Sequence, residues 1–534
     1  MRTRPNFLLV ITDQQRADHL GCYGNRILRT PALDAIAAHG VSFDRFHVAS
    51  PVCMPNRATL MTGRMPSVHG VRFNGIPLSL RANTFVDLMR AAGWRTALIG
   101  KSHLQNMTGQ PPGMRRAAYR EGLAPPPAGL DEALKDDPGP YRQEDRRKWD
   151  EPGHELALPY YGFEQVELCI GHAARVHGTY GRWLAGRHPD PESLRGPDNQ
   201  LPGNTYSVPQ SWRTRMPEEL YPTTYVAQKT IGYLEDHVRS RRDTPFMVQC
   251  SFPDPHHPFT PPGRYWDMYR PADMPLPPSF EIGNRLLPPH VAKLHAERDA
   301  GTRKAEAQAS FAVTAQEARE AIALTYGMIG MIDDAVAQVL NRLESLGLAQ
   351  DTVVIFTSDH GDLMGDHQLL LKGQFASQGL VRVPFLWADP ELPATRAGTR
   401  SGALFGTIDI AASILARAGL APYNGMQGRS FLPAVEGRDS VGREAILIEY
   451  GSQRPIPGVE GETAMRTLVT DRYRITFYRG ASWGELYDLL EDPHEMHNLW
   501  DDPGAATVRR DMTERLLRET IDMAETSPLP TAQA

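Results

Sequence analysis

A cysteine between two prolines carries the chemistry that the rest of this chain is predicted to position. The stretch from Pro51 to Arg64 reads PVCMPNRATLMTGR, with Cys53 two residues before Pro55. The residues after Cys53 predict a helix, and the first turn of a helix has unpaired N–H groups and the positive end of a dipole. That environment favours an anion and lowers the pKa of a thiol, so we predict a nucleophile at position 53. The ordinary alternative is a small buried hydrophobic residue.

Metal-ligating residue types follow two apolar runs that predict buried strands. Asp13 and Gln14 follow the run FLLVIT, and Asp359 and His360 follow the run VVIFT. The carboxyl ends of parallel strands meet at one crevice in an open α/β sheet, so we expect these side chains to converge with Cys53. Two carboxylates, an amide and an imidazole can bind a divalent metal ion that also holds a nucleophile. A single aspartate after a strand is more often a helix cap, so the metal-site prediction depends on the whole set together with the cysteine motif.

Strands and helices alternate on either side of these residues. Buried strands are predicted at residues 7–12, 41–46, 96–99, 246–252 and 353–357. Helices are predicted at residues 31–39, 84–92 and 224–237, and a longer one follows the capping box at Thr314 and Glu317. This rhythm predicts an α/β fold with a large, mostly parallel sheet sandwiched by helices.

Two regions depart from that rhythm. Residues 104–225 are rich in Pro, Gly, Arg and Tyr and predict ordered excursions over the active edge of the sheet. After residue 435 the pattern predicts antiparallel strands at residues 445–450, 463–470 and 473–478 and a closing helix at residues 505–526. We therefore predict a catalytic α/β domain over residues 1–435 and a small α+β subdomain, built on an antiparallel sheet, over residues 436–534.

The composition restricts the class of protein. The chain has 534 residues and a formal net charge of −6, which gives no general attraction for nucleic acid or an anionic membrane. The first apolar run is too short for a signal sequence or a membrane span, so we expect a cytoplasmic protein. The four cysteines are far apart in sequence, which argues against a zinc site and structural disulfides.

The motifs together resemble the sulfatase family of the alkaline phosphatase superfamily. Cys-x-Pro-x-Arg at residues 53–57 is the most specific of them. The others, in chain order, are Asp13-Gln14, Gly-Lys-Ser-His at residues 100–103, Pro-His-His-Pro-Phe at residues 255–259, Asp-His-Gly at residues 359–361 with Lys372 beyond it, and Leu-Tyr-Asp-Leu at residues 486–489. The resemblance covers nearly the whole chain and implies an alkaline phosphatase-like fold.

The resemblance also implies a modified nucleophile and a metal ion. Cys53 would be oxidised to Cα-formylglycine by a separate formylglycine-generating enzyme, and the hydrated aldehyde would attack the substrate. The metal ligands it implies are Asp13, Gln14, Asp359, His360 and residue 53. Family usage favours Ca²⁺, whereas an imidazole ligand also suits Mn²⁺.

Further roles follow from the same resemblance. Arg57 would hold the hydroxyl group of the nucleophile, and Lys101 and Lys372 would neutralise the oxygens of the transferred group. His103 would be the base that releases the covalent ester. His256 would be the general acid that protonates the departing oxygen.

The choice of acid and of substrate is open at this stage. His257 competes with His256, which we prefer because the family pattern places the acid directly after the proline. Many sulfatases have Asp and Asn where this chain has Gln14 and His360, and that pair resembles phosphonate monoester hydrolases and phosphodiesterases. The motif that contains Lys101 points back to sulfatases.

We therefore predict metal-dependent hydrolysis of sulfate esters, releasing sulfate and an alcohol or phenol. The alternatives are a phosphonate monoester hydrolase or phosphodiesterase with the same residues, and a non-catalytic metal-binding module. The alcohol-binding pocket is expected to come from residues 104–225 and 260–310. The sequence does not indicate the oligomeric state, and a homo-oligomer is compatible with it.

Overall fold

A nine-stranded sheet forms the centre of the molecule. The structure is a computed structural model, and it describes residues 4–114, 122–127, 129–305, 308–438, 441–456, 459 and 462–533. The strands up to residue 406 are β1 (Asn6–Thr12), β2 (Val41–His47), β3 (Arg95–Gly100), β4 (Gln165–Ile170), β5 (His177–Gly178), β6 (Phe246–Ser251), β7 (Phe311–Ala312), β8 (Thr352–Ser358), β9 (Leu369–Leu370), β10 (Phe385–Ala388) and β11 (Thr399–Gly406). The strand order of the large sheet is β11-β2-β10-β8-β1-β6-β3-β4-β5. Strands β7 and β9 pair separately as a two-stranded ribbon.

Most neighbouring strands of the large sheet are parallel. Strand β1 pairs in parallel with both β6 and β8, and every one of its residues is buried. Burial on both faces explains why its sequence is a continuous apolar run. Strand β10 is antiparallel to β2 and β8, and β5 is antiparallel to β4. The predicted α/β class with a mostly parallel sheet is confirmed.

Helices cover both faces of this sheet. They are α1 (Pro31–His39), α2 (Cys53–Thr62), α3 (Pro66–His69), α4 (Phe85–Ala91), α5 (Thr179–Ala185), α6 (Pro222–Ser240), α7 (Pro289–Asp299), α8 (Ala315–Ser345), α9 (Gln378–Val381), α10 (Ile410–Arg417) and α11 (Leu432–Val435). The predicted capping box opens α8, where Thr314 and Glu317 bond to each other's backbone N–H groups. By length and composition α8 alone, among the described helices, is apolar enough to cross a membrane, and 83% of its apolar window is buried inside the protein, as in a core helix.

The expectation of an irregular stretch over residues 104–225 is partly wrong. Within its described part, strand β4 extends the main sheet beside β3, and β5 and α5 follow it. Strand β4 was missed because its sequence QVELCI has polar residues in its first half, which lies partly exposed near the edge of the sheet. Residues 115–121 and 128 lie outside the described part of this segment.

The C-terminal region has the predicted antiparallel sheet and one strand more. Strands β12 (Ala445–Ser452), β13 (Thr463–Thr470), β14 (Tyr473–Tyr478) and β15 (Gly484–Asp488) pair in that order, and helix α12 (Ala506–Asp522) packs on them. Strand β15 contains most of the Leu-Tyr-Asp-Leu motif, which the sequence analysis did not assign to a strand. The hydrophobic cluster below this sheet includes Ala49 and Met65 from the first part of the chain. The division of the chain at residue 435 stays a prediction.

Candidate active site

The central pair of strands places two carboxylates side by side. Strands β1 and β8 are paired in register, with Thr12 opposite Ser358, so Asp13 and Asp359 leave the sheet at neighbouring positions. The Asp359 N–H donates to the Thr12 carbonyl at 3.1 Å, which continues the ladder by one step. Ligand atoms of four of the predicted residues all lie within 4.8 Å of one another: Asp13, Cys53, Asp359 and His360.

Helix α2 begins at Cys53 and points its first turn at this crevice. Asn56 fixes the start of the helix, because its Oδ1 accepts from the Ala49 N–H at 2.9 Å and its amide donates to the Asp359 carbonyl. The Met54 N–H donates to Asn74 Oδ1 at 3.0 Å. The nucleophile position is therefore tied to the strand that carries the metal-ligating residues.

The thiol of Cys53 lies in a strongly cationic surrounding. Burial and the Asp13 carboxylate raise its pKa, but the ammonium groups of Lys101 and Lys372 oppose them, and the pKa lies well below its usual value. The Lys372 Nζ donates to Sγ at 3.1 Å, and His360 Nε2 lies 3.2 Å from Sγ. An anion at position 53 is stabilised by these groups.

The polar atoms around Asp13 and Asp359 fit a divalent metal ion. The His360 Nδ1 donates to the Gly361 carbonyl at 2.8 Å, so the lone pair of Nε2 faces the carboxylates. The Gln14 amide donates to Asp362 and lies 3.1 Å from His257 Nδ1, while its Oε1 is buried and has no partner within the described residues. A buried amide oxygen beside two carboxylates and an imidazole is a donor set for such an ion.

Arg57 supports the metal-ligating carboxylate. Its Nε donates to Asp359 Oδ2 at 2.7 Å, and its Nη1 donates to the Lys101 carbonyl and Ser251 Oγ, each at 3.0 Å. Both partners of the Arg57–Asp359 ion pair are almost fully buried. Nη2 of Arg57 is buried without a hydrogen-bond partner in the described part of the chain, which leaves one donor for a bound group.

Two buried lysines flank the nucleophile. Lys372 Nζ donates to Cys53 Sγ and, at 3.0 Å, to His360 Nε2. Lys101 Nζ contacts the Asp13 carboxylate and donates to His172 Nε2 at 2.9 Å. An ammonium group has three N–H bonds, and Lys101 Nζ has these two partners within the described residues, so one N–H is left for an anionic ligand.

His172 is a site residue that the sequence analysis missed. Its ring stacks on His256 with centroids 3.6 Å apart, and its Nε2 lies 3.4 Å from Asp13 Oδ2. Burial and Lys101 lower the pKa of His172 to about 4, so the ring is neutral and accepts the Lys101 N–H. It follows Leu168-Cys169-Ile170-Gly171, and this short apolar run was the signal for a strand end that would have found it.

The other predicted histidines lie around the same crevice. His256 Nδ1 donates to the His257 carbonyl, and its Nε2 is buried with no partner among the described residues. His103 has a left-handed backbone, with φ 58°, and a buried Nδ1 that likewise lacks a partner within the described chain. Burial lowers the pKa of His103 and of His256 well below the usual value.

Comparison with known proteins places this chain in a family. The model of the sulfatase family matches residues 5–420, and that of the C-terminal region of N-sulphoglucosamine sulphohydrolase matches residues 365–522. An arylsulfatase of Clostridium perfringens is 28% identical over 505 residues, covering 93% of this chain and 90% of that protein. The multifunctional alkaline phosphatase superfamily protein PehA of Trinickia caryophylli is 29% identical over 549 residues, covering 98% and 96%.

A solved structure agrees with these relatives. The phosphonate monoester hydrolase of Agrobacterium radiobacter superposes with a TM-score of 0.75 at 26% sequence identity, covering 98% of this chain and 97% of that one. Its similarity spans the large sheet and the C-terminal sheet together, as the coverage requires. With a family match over most of its length, the chain belongs to the sulfatase family.

Proposed function

We propose that this chain hydrolyses sulfate esters with a nucleophile made from Cys53. The observation that carries the proposal is the position of Cys53 at the start of α2, with Sγ 3.1 Å from Lys372 Nζ and 3.2 Å from His360 Nε2. A separate maturation enzyme would oxidise the thiol to Cα-formylglycine, as in the family. The sulfur atom then stands in for the oxygens of the hydrated aldehyde.

A divalent metal ion completes this proposal. Asp13, Gln14, Asp359 and His360 would hold it together with an oxygen of residue 53. When bound, the ion supplies positive charge that stabilises the developing charge on the substrate and the nucleophile. The family favours Ca²⁺, and the imidazole of His360 makes Mn²⁺ the alternative.

The first chemical step transfers the sulfuryl group to residue 53. One hydroxyl of the hydrate passes its proton to the Asp13 carboxylate, whose Oδ1 lies 3.7 Å from Cys53 Sγ, and forms a bond to sulfur. The bond between sulfur and the alcohol oxygen breaks.

The departing oxygen takes a proton from His256 Nε2, since the Nδ1 proton is held by the His257 carbonyl. Nε2 must first be protonated, and the negative charge of the bound ester favours that charged form of the ring. Lys372 contacts the side chain at position 53 and Lys101 contacts Asp13, and both would stabilise the negative charge on the sulfuryl oxygens.

The second step releases sulfate. His103 takes the proton of the remaining hydroxyl, the carbon–oxygen bond to the sulfuryl group breaks, and the aldehyde forms again. Water then restores the hydrate. A variant without His103 is expected to complete the first step and to retain the ester on residue 53.

His172 indicates the direction from which the ester approaches. The nucleophile, the lysines and His256 are almost fully buried, whereas the side chain of His172 is 16% exposed. An ester that reaches Lys101 from this side places its alcohol beside the stacked rings of His172 and His256. The departing oxygen is then next to the proposed acid.

Substrates with different leaving groups can show whether His256 or His257 is the general acid. His257 Nδ1 is bonded to the Gln14 amide, whereas His256 stacks on His172 next to Lys101, and this difference favours His256 as the acid. His256→Gln should slow an alkyl sulfate at least about tenfold more than a nitrophenyl sulfate, because a poor leaving group needs the proton more. If His257→Gln has the selective effect instead, the acid is His257.

A phosphonate monoester or a phosphodiester is the second candidate substrate class. It is favoured by the amide and imidazole at Gln14 and His360 and by the structural likeness to the phosphonate monoester hydrolase. Lys101 beside Asp13 and His172 favours sulfate, in line with the relation to the arylsulfatase. We expect sulfate esters to be the better substrates and phosphorus esters a weaker side activity.

The deciding experiment is a substrate panel with matured enzyme. The protein is produced with a formylglycine-generating enzyme, and peptide mass spectrometry measures the conversion of Cys53. Values of kcat/KM are then compared for aryl and alkyl sulfates, phosphonate monoesters and phosphodiesters, with and without chelator. A phosphonate monoester that exceeds every sulfate ester would promote the second candidate, and full activity with an unmodified Cys53 would refute the nucleophile.

A further inference from the structure

Three consecutive backbone N–H groups beside the catalytic crevice converge on one buried carboxylate. Glu144 Oε2 accepts from the His103 N–H at 2.8 Å, and its Oε1 accepts from the N–H groups of Leu104 and Gln105 at 2.9 and 3.0 Å. The Tyr160 hydroxyl donates to Oε1 at 2.6 Å. Glu144 is completely buried, so these four donors replace its hydration.

The arrangement is an anion-binding nest that the protein fills with its own side chain. Successive N–H groups that point into one concavity favour a negative charge there. Burial raises the pKa of Glu144, and the hydrogen bonds from Tyr160 and the three N–H groups oppose that rise. Both oxygens of the carboxylate accept hydrogen bonds here. A glutamine in its place would direct an NH₂ group at backbone N–H donors, so it could not accept all four hydrogen bonds.

The turn that Glu144 binds carries an unfavourable backbone conformation. His103 has φ 58°, in the left-handed region that non-glycine residues avoid. Such a conformation persists only where its surroundings hold it. Among the described contacts, those of Glu144 hold the N–H groups of this turn. The Gln105 side chain supports them by bonding to the backbone of Pro140 and Gln143.

We propose that Glu144 is a positioning residue for His103. By binding the N–H groups of residues 103–105, it fixes the turn that carries the imidazole, whose buried Nδ1 has no partner among the described residues. This inference rests on the proposed function, because it assigns Glu144 to the step in which His103 releases the ester. The segment between β3 and β4, which contains Glu144, would then contribute to catalysis as well as to binding the alcohol.

The test is pre-steady-state kinetics of Glu144→Gln with a chromogenic aryl sulfate. We expect release of the phenol in the first turnover to stay within about threefold of the wild-type rate, while steady-state kcat falls about tenfold to a hundredfold, so that a burst appears. Mass spectrometry should find the sulfated hydrate on residue 53. If the first turnover and kcat fall together, or if kcat is unchanged, the inference is wrong.

Two variants separate positioning from a general loss of structure. Asp145→Asn is the matched control, because Asp145 is the next residue and its carboxylate pairs with Arg142 and Arg147 rather than with the turn. It should show no burst. Tyr160→Phe removes one of the four donors to Glu144 and should give a smaller burst and a fall in kcat of about threefold, which keeps the test decisive if Glu144→Gln does not fold.

A double variant and hydrogen exchange make the two proposals distinguishable. If Glu144 acts through His103, adding Glu144→Gln to His103→Ala should lower kcat by less than about twofold more. Amide exchange in a peptide covering residues 102–106 should be at least about tenfold faster in Glu144→Gln than in Asp145→Asn, whatever the substrate. Wild-type enzyme without sulfatase activity would refute the proposed function alone. Unchanged amide exchange in Glu144→Gln would refute the positioning role of Glu144 alone.

Discussion

The two halves of the crevice are built by different means. The metal-binding half consists of residues at the ends of β1 and β8, two adjacent strands that are buried throughout and paired in register. The leaving-group half consists of His103, His172 and His256, each on a loop that follows a different strand. Strand register alone brings the first set together. The second set depends on side-chain contacts between loops. Examples are the stacking of His172 on His256 and the hydrogen bond from the His103 N–H to Glu144.

The largest effect should come from removing a charge in the metal-binding half. Asp359→Asn is expected to abolish metal binding and to lower kcat/KM at least about a thousandfold, because a charged ligand is lost. It also leaves the Arg57 guanidinium buried without its carboxylate, which should lower the free energy of unfolding by about 3–5 kcal/mol. Metal analysis, kinetics and urea unfolding of the purified variant measure the three effects.

A distant ion pair provides the control for that variant. Asp389→Asn breaks the buried contacts of Asp389 with Arg417 at the other end of the sheet, so it should destabilise the protein yet keep metal and activity. Full metal occupancy in Asp359→Asn would contradict the site as we place it.

The sequence predicted the metal-binding half better than the leaving-group half for a physical reason. An apolar run that ends in Asp13 or in Asp359-His360 identifies a buried strand and its functional end without knowledge of any other segment. In strand β4 the apolar run is only three residues long, because Gln165 and Glu167 lie in its exposed half, so His172 was not recognised. The contact of Glu144 with residues 103–105 joins segments about 40 residues apart and has no local pattern at all.

Acid should weaken the support of the nucleophile helix. His69 Nδ1 accepts from the Val71 N–H at 3.2 Å, and its Nε2 lies 3.0 Å from Thr59 Oγ1 on α2, so both ring nitrogens are used by the neutral form. Burial, with a smaller contribution from Arg64, lowers the pKa of His69 to about 3. In the unfolded chain the pKa is about 6.5, so the unfolded state binds more protons below that pH and stability falls as pH falls.

Between pH 6.5 and pH 4, His69 alone should lower the free energy of unfolding by roughly 3 kcal/mol. Urea unfolding over that pH range gives the number of protons taken up on unfolding. That number should be smaller by up to one in His69→Gln than in the wild type, while His39→Gln, at an exposed histidine, serves as the control. An unchanged slope in His69→Gln would mean that acid acts elsewhere. The result also decides whether activity lost in acid belongs to the crevice or to unfolding.

A smaller effect is expected from the missed histidine of the leaving-group half. His172→Ala removes the acceptor that orients Lys101 and the ring that stacks on His256. We expect kcat/KM to fall about tenfold to a hundredfold, the cost of one or two hydrogen bonds to a charged group, with metal content unchanged. His177→Ala is the matched control, because His177 lies on β5 and contacts Arg195. Loss of metal in His172→Ala would show that the two halves are not independent.

The smallest effect concerns Gln14, which contacts both Asp359 of the metal-binding half and His257. Its amide nitrogen donates to Asp362 and lies 3.1 Å from His257 Nδ1, and its Oε1 is buried without a partner among the described residues. Gln14→Ala removes one neutral ligand, so metal affinity should fall only about tenfold and kcat should recover at high metal concentration. Gln15→Ala is the control, because the Gln15 side chain bonds to the His19 carbonyl instead. A low kcat that excess metal does not restore would mean that Gln14 acts chiefly by holding His257, and the leaving-group half would then include a residue supplied by β1.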